Sequence, residues 1–577
     1  MAKPSEKMTG AQALVASLEA AGAEIVFGYP GGYAIQLYDA LFDSDAIRHV
    51  LARHEQGAVH EADGYARATG KVGVVMVTSG PGATNTVTGI ATAYMDSVPL
   101  VVITGQAPRS AIGTDSFQES DTFGITMPVV KHSYLVKSAD DVARTVAEAF
   151  HIASTGRPGP VLIDVPSDVA AELCAFKFPS KVNIPSYKPT IRGNVKQVKA
   201  AAALIAKAKQ PVVCAGGGVI ASGASDQVLR LMRLFGIPAV TTLMAKGAVP
   251  SSEPLNLGAV GMHGSRYANS ALNRADVIIA VGMRFSNRVT GALESFAPDA
   301  KVVHIDIDPV EIDKVRKADV PIVGDAATVL EALLTELDKR AVRADTSAWV
   351  SEVEKWREDY PILNERAAAE EDEIVPEKAL ARLSSLLDPD ASVVVTDVGQ
   401  HQMWAAQFVD REKPRTFLSS GGLGTMGFGL PAAVGAALGR PDAQVVCIAG
   451  DGSFQMNLQE MATAVAEGVS IKVVVVNNQA LGMVRQWQKL FYGGRYSATE
   501  LPGLPDFVKL ADAYGWKAER VDEPSQINAA FKRMLKVKGC YLVDLRVDRE
   551  QNVFPMVAPG DGLAAALTSV EEVADER

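Results

Sequence analysis

The chain has 577 residues, too many for one hydrophobic core, and a prior of about 150 residues per domain predicts three or four units. With 48% hydrophobic and 21% charged residues it has the make-up of a globular protein, and a net charge of -11 argues against a nucleic-acid surface or a basic stripe for anionic lipid. Cys174, Cys214, Cys447 and Cys540 lie far apart in or beside apolar runs and form no CxxC, which points to reduced thiols. The amino terminus shows no secretory progression and no Ser/Arg-rich leader, and no apolar run reaches the roughly 18–20 residues that span a bilayer, so a cytoplasmic protein without a membrane partner is expected.

A first unit is expected over residues 1–180. Thr9 is placed to cap a helix with Leu14, Val15 and Leu18 on one face, ending near Gly22. Strands are expected at 24–27, 47–51, 72–78 and 161–165, helices at 35–42 and 56–69, and glycine loops at 28–32 and 79–82. That alternation predicts a doubly wound parallel sheet. Pro179, Pro185 and Pro189 punctuate a polar stretch over 176–194, read as a linker. Residues 190–345 form a second α/β unit with strands at 211–214, 239–242, 277–281 and 302–307. The patternless 364–377, with the acidic run 370–373, reads as a solvated linker. The last unit, 376–577, carries strands at 392–396, 445–449 and 471–476, and the element order hints that it is related to the first.

The chemistry is most legible in the last unit. The apolar run 445–449 leads into Gly450-Asp451-Gly452-Ser453, and the run 471–476 leads into Asn477-Asn478. If the two strands are parallel neighbours, Asp451 and Asn478 emerge at one edge. A carboxylate and an amide oxygen there, with loop carbonyls and phosphate oxygens, make an all-oxygen site suited to Mg2+. Either piece alone is an ordinary turn or strand end; together they match the diphosphate–magnesium signature of thiamin-diphosphate (ThDP) enzymes.

Such chemistry needs a carboxyl group facing the aminopyrimidine ring, to favour the tautomer that removes the thiazolium proton. Glu55, just past the strand at 47–51, is the candidate, although a helix start selects glutamate by its dipole alone. Two decoys fail. His54-Glu55 and His60-Glu61 miss the HExxH spacing of zinc proteases, and Gly422–Gly427 fits GxGxxG by count but follows no strand. The latter reads as a loop approaching a cofactor, with Met426 either an apolar prop or core filler.

Taken together, these residues resemble the catalytic subunit of acetohydroxyacid synthases (acetolactate synthases) over nearly the whole chain. The resemblance implies three α/β domains with doubly wound parallel sheets, the first and third binding the two ends of ThDP across a dimer interface. It implies Glu55 as the catalytic glutamate, and Gly399, Gln400, His401, Gly424, Met426, Gly450, Asp451, Gly452, Ser453, Asn478 and Met483 around ThDP. Asp451, Asn478 and a carbonyl near Ala480 would hold Mg2+. Phe117, Gln118 and Lys131 match the family's substrate-entry residues, contributed across the dimer. The stretches holding Arg157, Gly216, Gly217, Thr242, Leu243, Met262, His263, Gly282, Arg284, Arg288, Asp306, Ile307 and Asp325 are similar to its FAD-contacting segments, where the flavin is structural.

The implied reaction decarboxylates pyruvate and transfers the hydroxyethyl unit to pyruvate or 2-ketobutyrate, giving 2-acetolactate or 2-aceto-2-hydroxybutyrate. Trp487 is expected to favour 2-ketobutyrate, with Met483 and Arg288 positioning the acceptor and the tail from Phe554 helping to close the site. A homodimer or homotetramer is implied, with a small regulatory subunit as a further partner. The alternatives are another ThDP enzyme on the same scaffold (a pyruvate oxidase, a decarboxylase, a glyoxylate carboligase) or a non-catalytic cofactor-binding homologue. The chain departs from the family at Ser286-Asn287, where two acidic residues are usual, and at Tyr33, where a small residue is usual. Both departures bear on substrate preference more than on cofactor binding.

Overall fold

The computed structural model describes residues 7–340, 345–363, 373–570 and 572. They form three six-stranded sheets, every strand parallel to its neighbours. The central strands are runs rich in Val and Ile such as Val277–Val281 and Ile471–Asn477, buried on both faces as parallel sheets between helical layers must be.

Numbering the strands of each sheet by their place in the chain, the first sheet (Ile25–Tyr29, Arg48–Leu51, Gly73–Val77, Leu100–Gln106, His132–Leu135, Val161–Pro166) has the order 2-1-3-4-6-5. The third sheet (Val393–Thr396, Phe417–Leu418, Val445–Gly450, Ile471–Asn477, Lys517–Val521, Tyr541–Arg546) repeats that order, as the element order hinted. The middle sheet (Pro211–Ala215, Ala239–Thr241, Asn256–Ala259, Val277–Val281, Lys301–Asp306, Val320–Val323) runs 3-2-1-4-5-6, the dinucleotide-binding order. In open parallel sheets ligands sit beyond the carboxyl ends of the strands where the order reverses. That rule points to the segments after Tyr29 and Val77, after Ala215 and Val281, and after Thr396 and Gly450.

The expected strands are all present, within a few residues of the expected bounds. The strands passed over in the sequence are mostly short or lie at sheet edges, where apolar patterning is weakest: His132–Leu135, Asn256–Ala259, Val320–Val323, Phe417–Leu418 and Lys517–Val521. Leu100–Gln106 and Tyr541–Arg546 are interior strands with clear apolar runs, and neither is among the expected strands. The expected Thr9 cap forms a capping box with Gln12, the Gln12 N–H donating to Thr9 Oγ1 at 3.2 Å and the Thr9 N–H to Gln12 Oε1 at 2.9 Å. The linker at 176–194 is irregular throughout; most of the one at 364–377 lies outside the described residues.

The first and third domains meet where the helix Glu55–Thr69 crosses the helix Gly429–Gly439. A Cβ on Gly64 would lie 2.0 Å from the Ala432 oxygen and one on Gly435 1.8 Å from the Glu61 oxygen, so only glycine permits this crossing. All four cysteines are free. Among the described residues no helix is long and apolar enough to cross a membrane.

Candidate active site

Gly450 pairs with Val476 across the third sheet, so Asp451 and Asn478 do emerge side by side at its carboxyl edge. Asp451 is 2% exposed; its Oδ1 accepts the Gly452 N–H at 2.9 Å, and its Oδ2 is buried with no partner. Burial pushes this carboxyl up to about 6, the mark of a negative group held where water cannot reach it. The Asn478 oxygen accepts the Ala480 N–H at 3.1 Å, and its amide nitrogen donates to Gln400 Oε1 at 3.1 Å. Among the described residues no group of three or more His, Cys, Asp or Glu side chains is gathered for a metal. One orphaned carboxylate oxygen beside an amide and a loop carbonyl fits a hard divalent cation whose other ligands come from phosphate and water.

The neighbouring switch-point segment, Asp397–His401, completes this edge. Asp397 accepts the Gly427 and Gly429 N–H groups, each at 2.9 Å, and so fixes the turn that follows Met426. His401 is buried against Gly450, with Nε2 unpartnered, and burial pushes its imidazole down to about 3, so it stays neutral. Asp397 carries the strand-end signal that singled out Asp451, yet was missed in the sequence.

Beside this edge opens a cavity of about 1920 Å³ between the domains. Every residue of the FAD-like set lines it except Gly216: Arg157, Gly217, Thr242, Leu243, Met262, His263, Gly282, Arg284, Arg288, Asp306, Ile307 and Asp325. Gly216 instead gives close backbone packing, since a Cβ there would lie 2.2 Å from the Gly282 oxygen. His263 Nδ1 is buried without a partner, and burial pushes that imidazole down to about 4. Asp306 is pushed up to about 6 by the same cause. Arg157 is paired with Glu311 at 2.7 Å and Asp308 at 3.2 Å, so its charge is already largely compensated.

Gly399, Gly424, Met426, Met483 and Trp487 line the wall of the cavity nearest the Asp451 edge, and Met426 Cε lies 3.9 Å from where a Cβ on Gly452 would stand. The remaining ThDP candidates, Gln400, His401, Gly450, Asp451, Gly452, Ser453 and Asn478, do not line this cavity. The Arg288 guanidinium lies 5.9 Å from the centre of the Trp487 ring; its one recorded polar contact is Met262 Sδ at 2.8 Å, with no carboxylate among the described residues. Ser286 and Asn287, which stand where acids are usual, also line the cavity. The carboxyl tail packs into the middle domain, Val557 N–H donating to the Met262 oxygen at 2.8 Å and Val557, Leu563 and Ala566 joining its core.

Glu55 stands apart from this cavity. It is the first residue of its helix, half-buried, and takes the Asn85 amide on Oε2 at 3.0 Å; Asn85, missed in the sequence, follows the Pro81–Thr84 helix at the first sheet's switch point. Gln118 lies against Gly80 in the same corner, with Phe117 beside it 80% exposed. Tyr29, Ile35, Leu51, Ile125 and Met127 leave further apolar surface uncovered on this domain. Lys131 is not brought to the cavity or to Glu55: its ammonium donates to the Ile152 and Thr155 oxygens and to the Tyr187 hydroxyl, tying the linker to a helix end, and burial pushes it down to about 8.

A carboxylate-and-amide edge on one sheet, a glutamate bonded to an asparagine from the switch-point segment of a sister sheet, and a dinucleotide-type sheet in the middle domain define a thiamin-diphosphate enzyme. Three family models agree: "Thiamine pyrophosphate enzyme, N-terminal TPP binding domain" matches residues 8–125, the "central domain" 198–333 and the "C-terminal TPP binding domain" 397–545. The chain is 51% identical over 562 residues to an acetolactate synthase of Mycobacterium bovis (96% of this chain, 90% of the relative) and 50% identical over 561 residues to the acetolactate synthase large subunit of Corynebacterium glutamicum (96% and 89%). To a probable acetolactate synthase large subunit of Methanococcus aeolicus it is 46% identical over 586 residues, 99% of this chain and 97% of that one. The chain belongs to the acetolactate synthase large-subunit family.

Proposed function

We propose that the protein condenses two 2-ketoacids: it decarboxylates pyruvate and joins the two-carbon unit to pyruvate or 2-ketobutyrate, forming 2-acetolactate or 2-aceto-2-hydroxybutyrate for branched-chain amino acid biosynthesis. The observation that carries this reading is the pairing of Arg288 with Trp487 on the cavity wall that also holds Met426 and Met483. An arginine without a carboxylate partner, set over an indole face, suits a ligand with a carboxylate at one end and a short alkyl chain at the other.

Asp451, Asn478 and the Ala480 carbonyl would hold Mg2+ and through it a diphosphate. ThDP, when bound, supplies the electron sink for decarboxylation and carbon–carbon bond formation. Glu55 would hold and return the proton on the pyrimidine ring, with Asn85 fixing the carboxylate. The apolar wall formed by Met426, Met483 and Trp487 would keep water from the reacting carbon, where protonation would end the reaction early. FAD would fill the long cavity as a structural group, its contacts drawn from the lining residues between Arg157 and Asp325. Since Glu55 lies outside that cavity amid exposed apolar surface, we place it, with Gln118 and Phe117, in the active site of a second copy, which makes a homodimer the smallest working unit. A smaller regulatory subunit is a further expected partner, because relatives bear the name large subunit.

Acetolactate formed from pyruvate with ThDP and Mg2+, scored as acetoin after acid treatment, tests the reading. Acetaldehyde or acetyl products in its place would sink it. Trp487→Leu is expected to lower the preference for 2-ketobutyrate over pyruvate about fourfold or more, the worth of one methylene against a tight apolar wall at about 0.8 kcal/mol. The ratio of the two products in a competition assay measures it.

A further inference from the structure

The glycine run that mimics a dinucleotide fingerprint has another use. The Gly421 N–H donates to Asp96 Oδ2 at 3.0 Å and the Gly422 N–H to Asp96 Oδ1 at 2.7 Å. The Asp96 side chain is fully buried (0% exposed) and also takes Arg67 Nη2 at 2.9 Å. Arg67, paired on its other side with Asp63, donates to the Ser419 oxygen at 2.8 Å, and the Thr92 and Thr425 hydroxyls meet at 2.6 Å. A Cβ on Gly422 would stand 2.8 Å from Asp96 Oδ1, and one on Gly421 2.4 Å from Met244 Sδ. Close approach to Asp96 and to the Met95 backbone accounts for glycine at 422, whereas the neighbour of Gly421 is a flexible methionine side chain.

The bonds to Ser419, Gly421, Gly422 and Thr425 run from two helices of the first domain, Glu55–Thr69 and Val87–Asp96, to one loop of the third. The residue after Thr425 is Met426, which spans from the cavity wall to the Gly452 turn. A side chain carried on a loop is placed no better than the loop itself, and a buried carboxylate taking two backbone N–H groups and a guanidinium is among the stronger tethers available.

We propose that Asp96 is a positioning residue for the cofactor: by holding the Gly421 and Gly422 amides it sets Met426 against the ThDP pocket of its own chain. The proposal rests on the ThDP reading above and acts within one subunit, whereas Glu55 is assigned to a neighbour.

The test is a double-mutant cycle on ThDP affinity, measured by calorimetry in saturating Mg2+ on protein stripped of ThDP, with Asp96→Asn, Met426→Ala and the pair. Asparagine keeps the shape of the side chain but turns an N–H2 toward one of the amides and drops the charge facing Arg67. Asp96→Asn is expected to weaken ThDP binding about tenfold, the cost of a lost charged hydrogen bond, Met426→Ala about tenfold, the cost of a lost apolar contact, and the pair about tenfold as well because both remove one support. Losses that multiply to about a hundredfold, or unaltered affinity in Asp96→Asn, would overturn the proposal. Should Asp96→Asn not fold, Thr92→Val removes the hydroxyl strut of the same loop; non-additivity with Met426→Ala is expected there too, and additivity rejects the idea. A protein that binds ThDP but makes no acetolactate would refute the reaction while leaving this cycle readable.

Discussion

Glu55→Gln is expected to bind ThDP and Mg2+ as the unmodified protein does and to lose about a hundred- to ten-thousandfold in kcat, the range that a positioned acid–base group supplies. The fold should tolerate the change. Glu55 is half-buried, its one recorded partner is the Asn85 amide at 3.0 Å, and a glutamine oxygen can still accept that bond. What glutamine cannot do is share a proton with a ring nitrogen. Calorimetric titration with ThDP beside steady-state kinetics separates the two effects; near-normal turnover would remove Glu55 from its role, and lost ThDP binding would make it a binding residue.

Asp451→Ala is expected to have the opposite signature. The carboxylate is buried with one oxygen unpartnered, a costly arrangement that a bound cation would offset. Its removal should cost Mg2+-dependent ThDP binding more than the roughly 10- to 100-fold that loss of a mere outer-sphere group costs at a metal site. Stability provides the second readout. ThDP and Mg2+ at about a hundred times the dissociation constant should stabilise the unmodified protein by about 2.7 kcal/mol. The variant should show no such gain at the same concentrations, while its cofactor-free Tm is unchanged or higher because a desolvated carboxyl has gone. A preserved Tm rise with ThDP and Mg2+ would place the metal elsewhere.

Much of this site could be read from residues alone because strand ends are local signals. Val445–Gly450 and Ile471–Asn477 are apolar runs that end in polar residues, and a parallel register then brings Asp451 beside Asn478 whatever the rest of the fold does. The middle domain was legible for the same reason, its glycines and charged residues falling after strands whose order opens a dinucleotide crevice. Direction was harder to read. Gly216 and Gly217 are alike in sequence, yet one packs against backbone and the other faces the cavity. Lys131 could not be told from a substrate-facing lysine, because its carbonyl partners lie about twenty residues away and Tyr187 comes from a linker with no periodic pattern. Asp96 gave no signal at all: its meaning lies in two amide hydrogens more than three hundred residues further along the chain.

What no single chain displays is the meeting of Glu55 with the Asp451 edge. Mixing provides the direct measurement. Glu55→Gln and Asp451→Ala subunits, each nearly inactive, are unfolded or dissociated together and reassembled in equal amounts. If each site takes Glu55 from one chain and Asp451 from the other, half of the dimers are mixed and each mixed dimer keeps one intact site, so about a quarter of the unmodified activity should return. If Glu55 serves the Asp451 pocket of its own chain, every site carries one lesion and mixing restores nothing.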